Sequence, residues 1–180
     1  WYVISLFGTD QLGIVAKTTQ CLYQLDANLS ETSMNRLGDY FTMMMFVQYS
    51  GDIKKLRSRF QGIADDMNLQ FHLDKIEQHI HSQLTPNIRI CCYSSDRSGL
   101  VAQVSAELLR QQVNIVNVQT DVSNQDSNSL FIMTIEGIMP VTTNTEGAKN
   151  TASEHLTDSI ATLKQQGIDI HVETIETLVG

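Results

Sequence analysis

The stretch YVISLF at residues 2 to 7 is apolar and rich in β-branched and aromatic side chains, which predicts a strand. In the segment that follows, GIVAKTTQCLYQL, Ile14, Thr18, Cys21, Leu22 and Leu25 share one face at helical spacing. A strand from about Asn28, the alternating run YFTMMMFVQY, a helix after Gly51 and the closing strand LQFHLDKI complete the order β-α-β-β-α-β. The same order returns in IRICCY, LVAQVSAELLRQQ, NIVNVQTDV, SLFIMTIEG, NTASEHLTDSIATLKQQ and IDIHVETIE. Within it Val116, Val118, Thr120 and Val122 alternate with polar neighbours, the period of a strand with one buried face.

The repetition extends to individual residues. Asp10 and Gly13 recur as Asp96 and Gly99, Leu22 as Leu108 and Asn28 as Asn114, each pair 86 positions apart. Phe41 and Met43 match Phe131 and Met133 at 90, so the second copy gains four residues in the polar stretch SNQDSNS, which predicts a longer loop. LQFHLDKIE at 69 to 77 matches IDIHVETIE at 168 to 176 at 99, which places nine more inserted residues between Gly137 and the last helix.

A β-α-β-β-α-β unit closes most simply as an antiparallel four-stranded sheet with both helices on one face, the ferredoxin-like arrangement. The expectation is therefore an α+β protein of two ferredoxin-like domains, residues 1–77 and 88–180, joined by a linker at 78–87 in which Pro86 interrupts any helix. Units of this size have marginal cores on their own, so docking between them is expected.

Composition narrows the function. The net charge of −8 argues against direct nucleic-acid binding, and neither copy is basic: residues 1–77 carry 7 basic and 9 acidic side chains, residues 88–180 carry 5 and 11. No apolar run reaches the length of a membrane span, and the opening residues lack a secretion-signal pattern, so a cytoplasmic location is expected. Cys21, Cys91 and Cys92 have no C-x-x-C spacing, and they read as reduced thiols with Cys91 and Cys92 on opposite faces of a strand. His79 and His81 in the linker lack further metal ligands, the repeat-equivalent His72 and His171 suit edge positions, and KKLRSR at 54–59 suits a solvated helix face. The methionines at 43–45 read as packing residues, and the 139–150 stretch as a loop. No nucleophile–base arrangement and no phosphate loop stand out, so neither catalysis nor a cofactor is expected.

The candidate chemistry lies in the recurring Asp-x-x-Gly turn between first strand and first helix. Its aspartate can cap the helix, while its glycine and the free N–H groups at the positive helix end suit an anion. Asn28 and Asn114 follow the first helix of each copy, where an asparagine can bind both charged groups of an amino acid or occupy the left-handed position that ends a helix.

These features resemble the ACT domain, a small-molecule-sensing module of ferredoxin-like fold. TDQLGIVAKTTQCLYQLDANLSETSMNRLGDYFTMMMFV carries the likeness in the first copy, and SDRSGLVAQVSAELLRQQVNIVNV with LFIMTIEG carries it in the second. The tandem arrangement resembles the glycine cleavage system transcriptional repressor group, whose members act on gene expression through a partner transcription factor. Departures are visible: Leu12 and Ser98 replace a proline of the family pattern, and Ala27 and Val113 replace a glycine. The resemblance implies a ligand, an amino acid such as glycine, bound where the first turn of one domain meets the second strand of another. It implies ligand contacts from Asp10, Gln11, Leu12, Gly13, Ile14, Asn28 and Leu29, and from Asp96, Arg97, Ser98, Gly99, Leu100, Asn114 and Ile115. A protein partner and a homodimer are expected with it. The alternatives are an accessory subunit of a separate metabolic enzyme and an interaction module without a ligand.

Overall fold

The computed structural model describes residues 1–77, 85–125, 128–139, 160, 161, 163–165 and 167–175. The chain splits into two compact units, Trp1–His81 and Ser82–Gly180. In the first, β1 (Tyr2–Thr9), α1 (Ile14–Gln24), β2 (Asn28–Leu37), β3 (Tyr40–Gln48), α2 (Ile53–Asp66) and β4 (Leu69–Lys75) follow one another. The strands form one antiparallel sheet in the order β2-β3-β1-β4. The second contains β5 (Ile88–Ser95), α3 (Leu100–Arg110), β6 (Asn114–Gln125), β7 (Asn128–Ile138) and β8 (Asp169–Thr174), in the sheet order β6-β7-β5-β8. Residues 160, 161 and 163–165 are helical.

Alternation along the strands decides which sheet face is covered. Tyr2, Ile4 and Leu6 of β1 and Phe41, Met43, Met45 and Val47 of β3 are buried with Ile14, Cys21 and Leu22 of α1 and Leu56, Phe60 and Ala64 of α2. Both helices thus pack on one face. The fully buried Phe60 stacks on Phe71 of β4 with ring centroids 5.7 Å apart. The second core repeats this with Ile88, Ile90, Cys92, Met133 and Ile135 under Leu100, Val104, Leu108, Ile160 and Leu163. The α+β, twice ferredoxin-like fold is the one expected. Thr18, the buried polar residue of α1, satisfies its hydroxyl by donating to the Ile14 carbonyl at 2.8 Å.

Three local expectations change. The four residues gained in the second copy do not make a longer loop: β6 and β7 have 12 and 11 residues where β2 and β3 have 10 and 9, so each strand is two longer. Pairing runs to Gln125↔Asn128, just as the first hairpin runs to Leu37↔Tyr40. The alternation of β6 marks no buried face: Val116, Val118, Thr120 and Val122 are all exposed, a bulge between Ile115 and Asn117 leaves Val116 outside the register, and β2 has the matching irregularity between Leu29 and Thr32. Of the three consecutive methionines, Met43 and Met45 are core, whereas Met44 is exposed on the open face.

Helix ends are built alike. Asp26, Asn68, Gln112 and Gly167 each take a left-handed φ directly after a helix. After α1 the Asp26 N–H donates to Tyr23 and the Ala27 N–H to Leu22; after α3 the Gln112 N–H donates to Leu109 and the Val113 N–H to Leu108. These bonds close the last carbonyls in the Schellman manner. Asn28 and Asn114 therefore do not end their helices; each opens the following strand.

Candidate functional site

Each unit offers two loci from the expected set. The first is the turn from Asp10 to Gly13, with Asp96 to Gly99 as its copy. Gly13 and Gly99 are the N-caps of α1 and α3 at φ 97° and 89°, and neither helix has a side-chain cap. A Cβ added at either glycine would meet nothing within 4 Å. The glycine is there for its left-handed backbone, not for a close approach within the unit.

The aspartates are not caps. The Asp10 N–H donates to the Asp39 carbonyl at 2.7 Å, and the Asp10 carboxylate faces the Arg36 guanidinium of β2 at 3.3 Å. The turn is thus tied to the tip of the β2–β3 hairpin. Asp96 repeats the backbone bond, to Ser129 at 3.2 Å, but the position equivalent to Arg36 is Val122. Gln11 reaches the Met67 carbonyl at the end of α2 with its side-chain amide at 2.6 Å. Leu12 is fully exposed, and Arg97 bonds Gln103 at 3.2 Å. Ile14 and Leu100 are buried, so they fix the helix start and present only backbone to a ligand.

With no capping side chain, the first-turn N–H groups of α1 and α3 point outward at the positive ends of their helices. That arrangement suits a carboxylate.

The second locus surrounds the asparagines. Asn28 pairs with Gln48 at the end of β3 and is exposed, while Leu29 is half-buried against the core. An open cleft of about 350 Å³ is lined there by Leu25, Asp26, Asn28, Gln48, Tyr49, Ser50 and Gly51. Sequence reading found Asn28 but missed the other polar groups around it, because Asp26 passes for a turn residue and Gln48 and Ser50 join the cleft only through strand pairing. Asn114 and half-buried Ile115 occupy the same places in the second unit.

The loci of one unit are separated by the full length of α1. Its 11 residues, at about 1.5 Å each, put the turn and Asn28 about 16 Å apart along the helix axis. A free amino acid spans only a few ångströms, so within one unit it meets the turn or the asparagine, never both.

Register also places Ser5 opposite His72 and Cys91 opposite His171 on the open faces. The imidazole Nε2 atoms lie 2.9 Å from Asp74 and 3.2 Å from Asp169. These neighbours were illegible in sequence, since strand pairing joins them across the chain. They sit on exposed edge strands, as expected for His72 and His171. Cys91 is half-buried on the open face and Cys92 buried on the other, where burial, with a smaller contribution from a charge on Cys91, pushes its thiol up to about 12. Glu136 is held below the usual carboxylate range chiefly by its hydrogen bond with Arg89, at 2.8 Å.

In the 54–59 stretch Lys54, Lys55 and Ser58 are solvated, while Arg57 donates to the Leu73 carbonyl at 3.2 Å and Arg59 to the Gln24 side chain. His79, His81 and residues 140–150 lie outside the described residues. Among the described residues no group of three or more His, Cys, Asp or Glu is placed to hold a metal, and no helix is long and apolar enough to cross a membrane.

The two antiparallel four-stranded sheets, each covered on one face by helical residues, define the ferredoxin-like class. The chain belongs to the ACT-domain family, whose model matches residues 2–74. A UPF0237 protein of Streptococcus mutans is 32% identical over 73 residues, which is 39% of this chain and 83% of that protein. A UPF0237 protein of Listeria monocytogenes is 28% identical over 78 residues, 42% and 88% of the two chains. Two solved structures share the fold through both units. An unknown protein from Galdieria sulphuraria has a TM-score of 0.77 at 22% identity, covering 97% of this chain and 98% of its own. A protein described by inference as a glycine cleavage system transcriptional repressor has a TM-score of 0.74 at 18% identity, covering 98% and 97%.

Proposed function

We propose that this chain is a non-enzymatic regulatory protein that senses a free amino acid and passes the signal to a protein partner in the control of gene expression. The observation that carries the reading is the pair of uncapped helix N-termini, at Gly13 and Gly99, in a chain whose residues 2–74 match the ACT domain and whose second unit repeats the same sheet order. The turn offers donors suited to a carboxylate, and the Asn28 strand offers acceptors and donors suited to a polar ligand. The likeness of the whole fold to a protein inferred to repress the glycine cleavage system supports glycine as one candidate and a transcription factor as the partner. The acidic balance supports action through that partner, in the cytoplasm, over direct contact with nucleic acid.

Affinity has an upper bound. With five heavy atoms at about 1.5 kcal/mol each, glycine gains roughly 7.5 kcal/mol, which is micromolar binding at best. That suits a sensor of an abundant metabolite. The test is a thermal-shift screen of the common amino acids at about 5 mM, followed by affinity capture from a cell extract with and without the stabilising compound. The expected outcome is stabilisation by one or a few amino acids and ligand-dependent capture of a transcription factor. No stabilisation by any of them removes the ligand, and capture of a metabolic enzyme in its place makes the chain an accessory subunit.

A further inference from the structure

Strand pairing assembles a thiol, an imidazole and a carboxylate on the open face of the second sheet. Cys91 of β5 and His171 of β8 are directly opposite in the register, which puts their Cβ atoms about 4.5–5.5 Å apart on one face. His171 is exposed, and its Nε2 lies 3.2 Å from Asp169. The Tyr93 ring, opposite Asp169, meets the imidazole edge-on with centroids 6.2 Å apart. The first unit repeats the design with oxygen in place of sulfur: Ser5 stands opposite His72, whose Nε2 lies 2.9 Å from Asp74. The carboxylate comes two residues after the histidine in the first unit and two before it in the second, so the pairing is reached from both sides.

The three thiols of the chain divide by burial. Cys21 and Cys92 are buried, and burial pushes both thiols up, Cys92 to about 12. Cys91 is half-buried on the sheet face that bears no helix. A proton on His171 Nε2, donated to Asp169, leaves Nδ1 as the proton acceptor. Around the pair, β5 contributes Arg89 and Tyr93, β7 contributes Thr134 and Glu136, and β8 contributes Asp169 and Glu173. Arg89 and Glu136 neutralise one another at 2.8 Å, and Asp169 is engaged by His171, so the imidazole is the base set against the sulfur.

We propose that Cys91 is a site of reversible S-thiolation by small-molecule disulfides, with His171 as the proton acceptor and Asp169 as the residue that orients it. The reaction is an exchange. Cys91 Sγ attacks one sulfur of R–S–S–R, a new S–S bond forms as the old one breaks, and the departing thiolate takes the proton that Nδ1 removed from Sγ. The products are the mixed disulfide on Cys91 and one R–SH, so no other oxidant is consumed. Displacement at sulfur needs only an in-line approach, which an open face gives. Acyl transfer would need N–H donors aimed at an oxyanion, and β5, paired on both sides, has its own committed to the ladders. Because Cys21 and Cys92 are buried on the other side of the sheet, the adduct persists until an external thiol removes it. The site is independent of the amino-acid reading above.

The test exposes the reduced full chain to bis(2-hydroxyethyl) disulfide, an uncharged probe, and follows the adduct by intact and peptide mass spectrometry. A single adduct at Cys91 is expected, removed by excess 2-mercaptoethanol and absent from Cys91→Ser, which copies the Ser5 arrangement. Rates are then compared at about pH 7, between the ordinary imidazole and thiol values, and at about pH 9.5, above both. His171→Gln is expected to slow the reaction about tenfold or more at the lower pH and less than about twofold at the higher, where solvent removes the thiol proton. Asp169→Asn is expected to slow it by a smaller factor, again only at the lower pH. Both substitutions fall on exposed positions, and amide spectra check that each variant is folded. No adduct at Cys91, or slowing by His171→Gln that is absent or equal at the two pH values, would overturn the proposal. An unchanged rate in Asp169→Asn would overturn the part given to Asp169.

Discussion

Val113 occupies the space that a side chain on Gly137 would need: a Cβ built there lies 2.8 Å from Val113 Cγ1 and 3.1 Å from the Asn114 carbonyl oxygen. The equivalent residues of the first unit are Ala27 and Val47, so the larger side chain stands on the inner strand in the first unit and at the helix exit in the second. Gly137→Ala is expected to destabilise the chain by about 1–3 kcal/mol in urea unfolding, because a stiff β-branched neighbour cannot give way. Adding Val113→Ala should recover part of that loss, with a coupling of at least about 0.5 kcal/mol in the double-mutant cycle. Simple additivity would contradict this packing.

The Asp10–Arg36 pair and the Asp52 cap make opposite predictions for two similar substitutions. Asp52 accepts from the Lys54 N–H at 2.9 Å and begins α2, so Asp52→Ala should cost about 1 kcal/mol with little dependence on salt. Asp10→Ala removes a largely exposed ion pair, expected to contribute less than about 1 kcal/mol and to fade as salt is added. Chemical denaturation at two ionic strengths distinguishes them.

Much of the architecture was legible because the spacing of α1 and the alternation of β3 and β5 were clean and the order of elements came twice. Ile14, Thr18, Cys21 and Leu22 could be assigned to one helix face from spacing alone, and all four are buried. The role of Asp10 was not legible, since capping rules look a few residues ahead and its partner Arg36 arrives from a hairpin 26 positions later. Asn28 was similarly ambiguous: the residue that ends α1 is Asp26, and only the φ angles separate the two. The cleft required strand pairing, which brings Gln48 beside Asn28.

Left-handed residues other than glycine are strained. Gln112→Gly is expected to raise stability by about 1 kcal/mol by relieving the backbone at φ 57°, whereas Gly99→Ala should lower it by about 1–2 kcal/mol although its Cβ meets only open space. Thermal unfolding of both variants checks the pair of signs.

Thiol chemistry should report the two faces of β5. In the folded chain Cys91 is expected to react first with a thiol reagent, while Cys21 and Cys92 wait for unfolding. The Cys92 thiol keeps its proton up to about 12 in the folded state, against an ordinary value near 9, so the unfolded chain loses that proton first. Its contribution is therefore complete below pH 9 and is lost as pH rises from about 9 to 12. Cys92→Ala should flatten the fall in stability over that window.

The lengthened β6–β7 arm follows a counting rule of its own. Antiparallel rungs alternate between hydrogen-bonded and open pairs, and a two-residue connection fits after only one kind. Moving the closing pair from the level of Leu37↔Tyr40 to Gln125↔Asn128 skips one alternation and returns to the same kind. The length of this arm is in effect quantised: chains that keep the tight connection can extend or retract it by four residues, and a change of two would force a different turn.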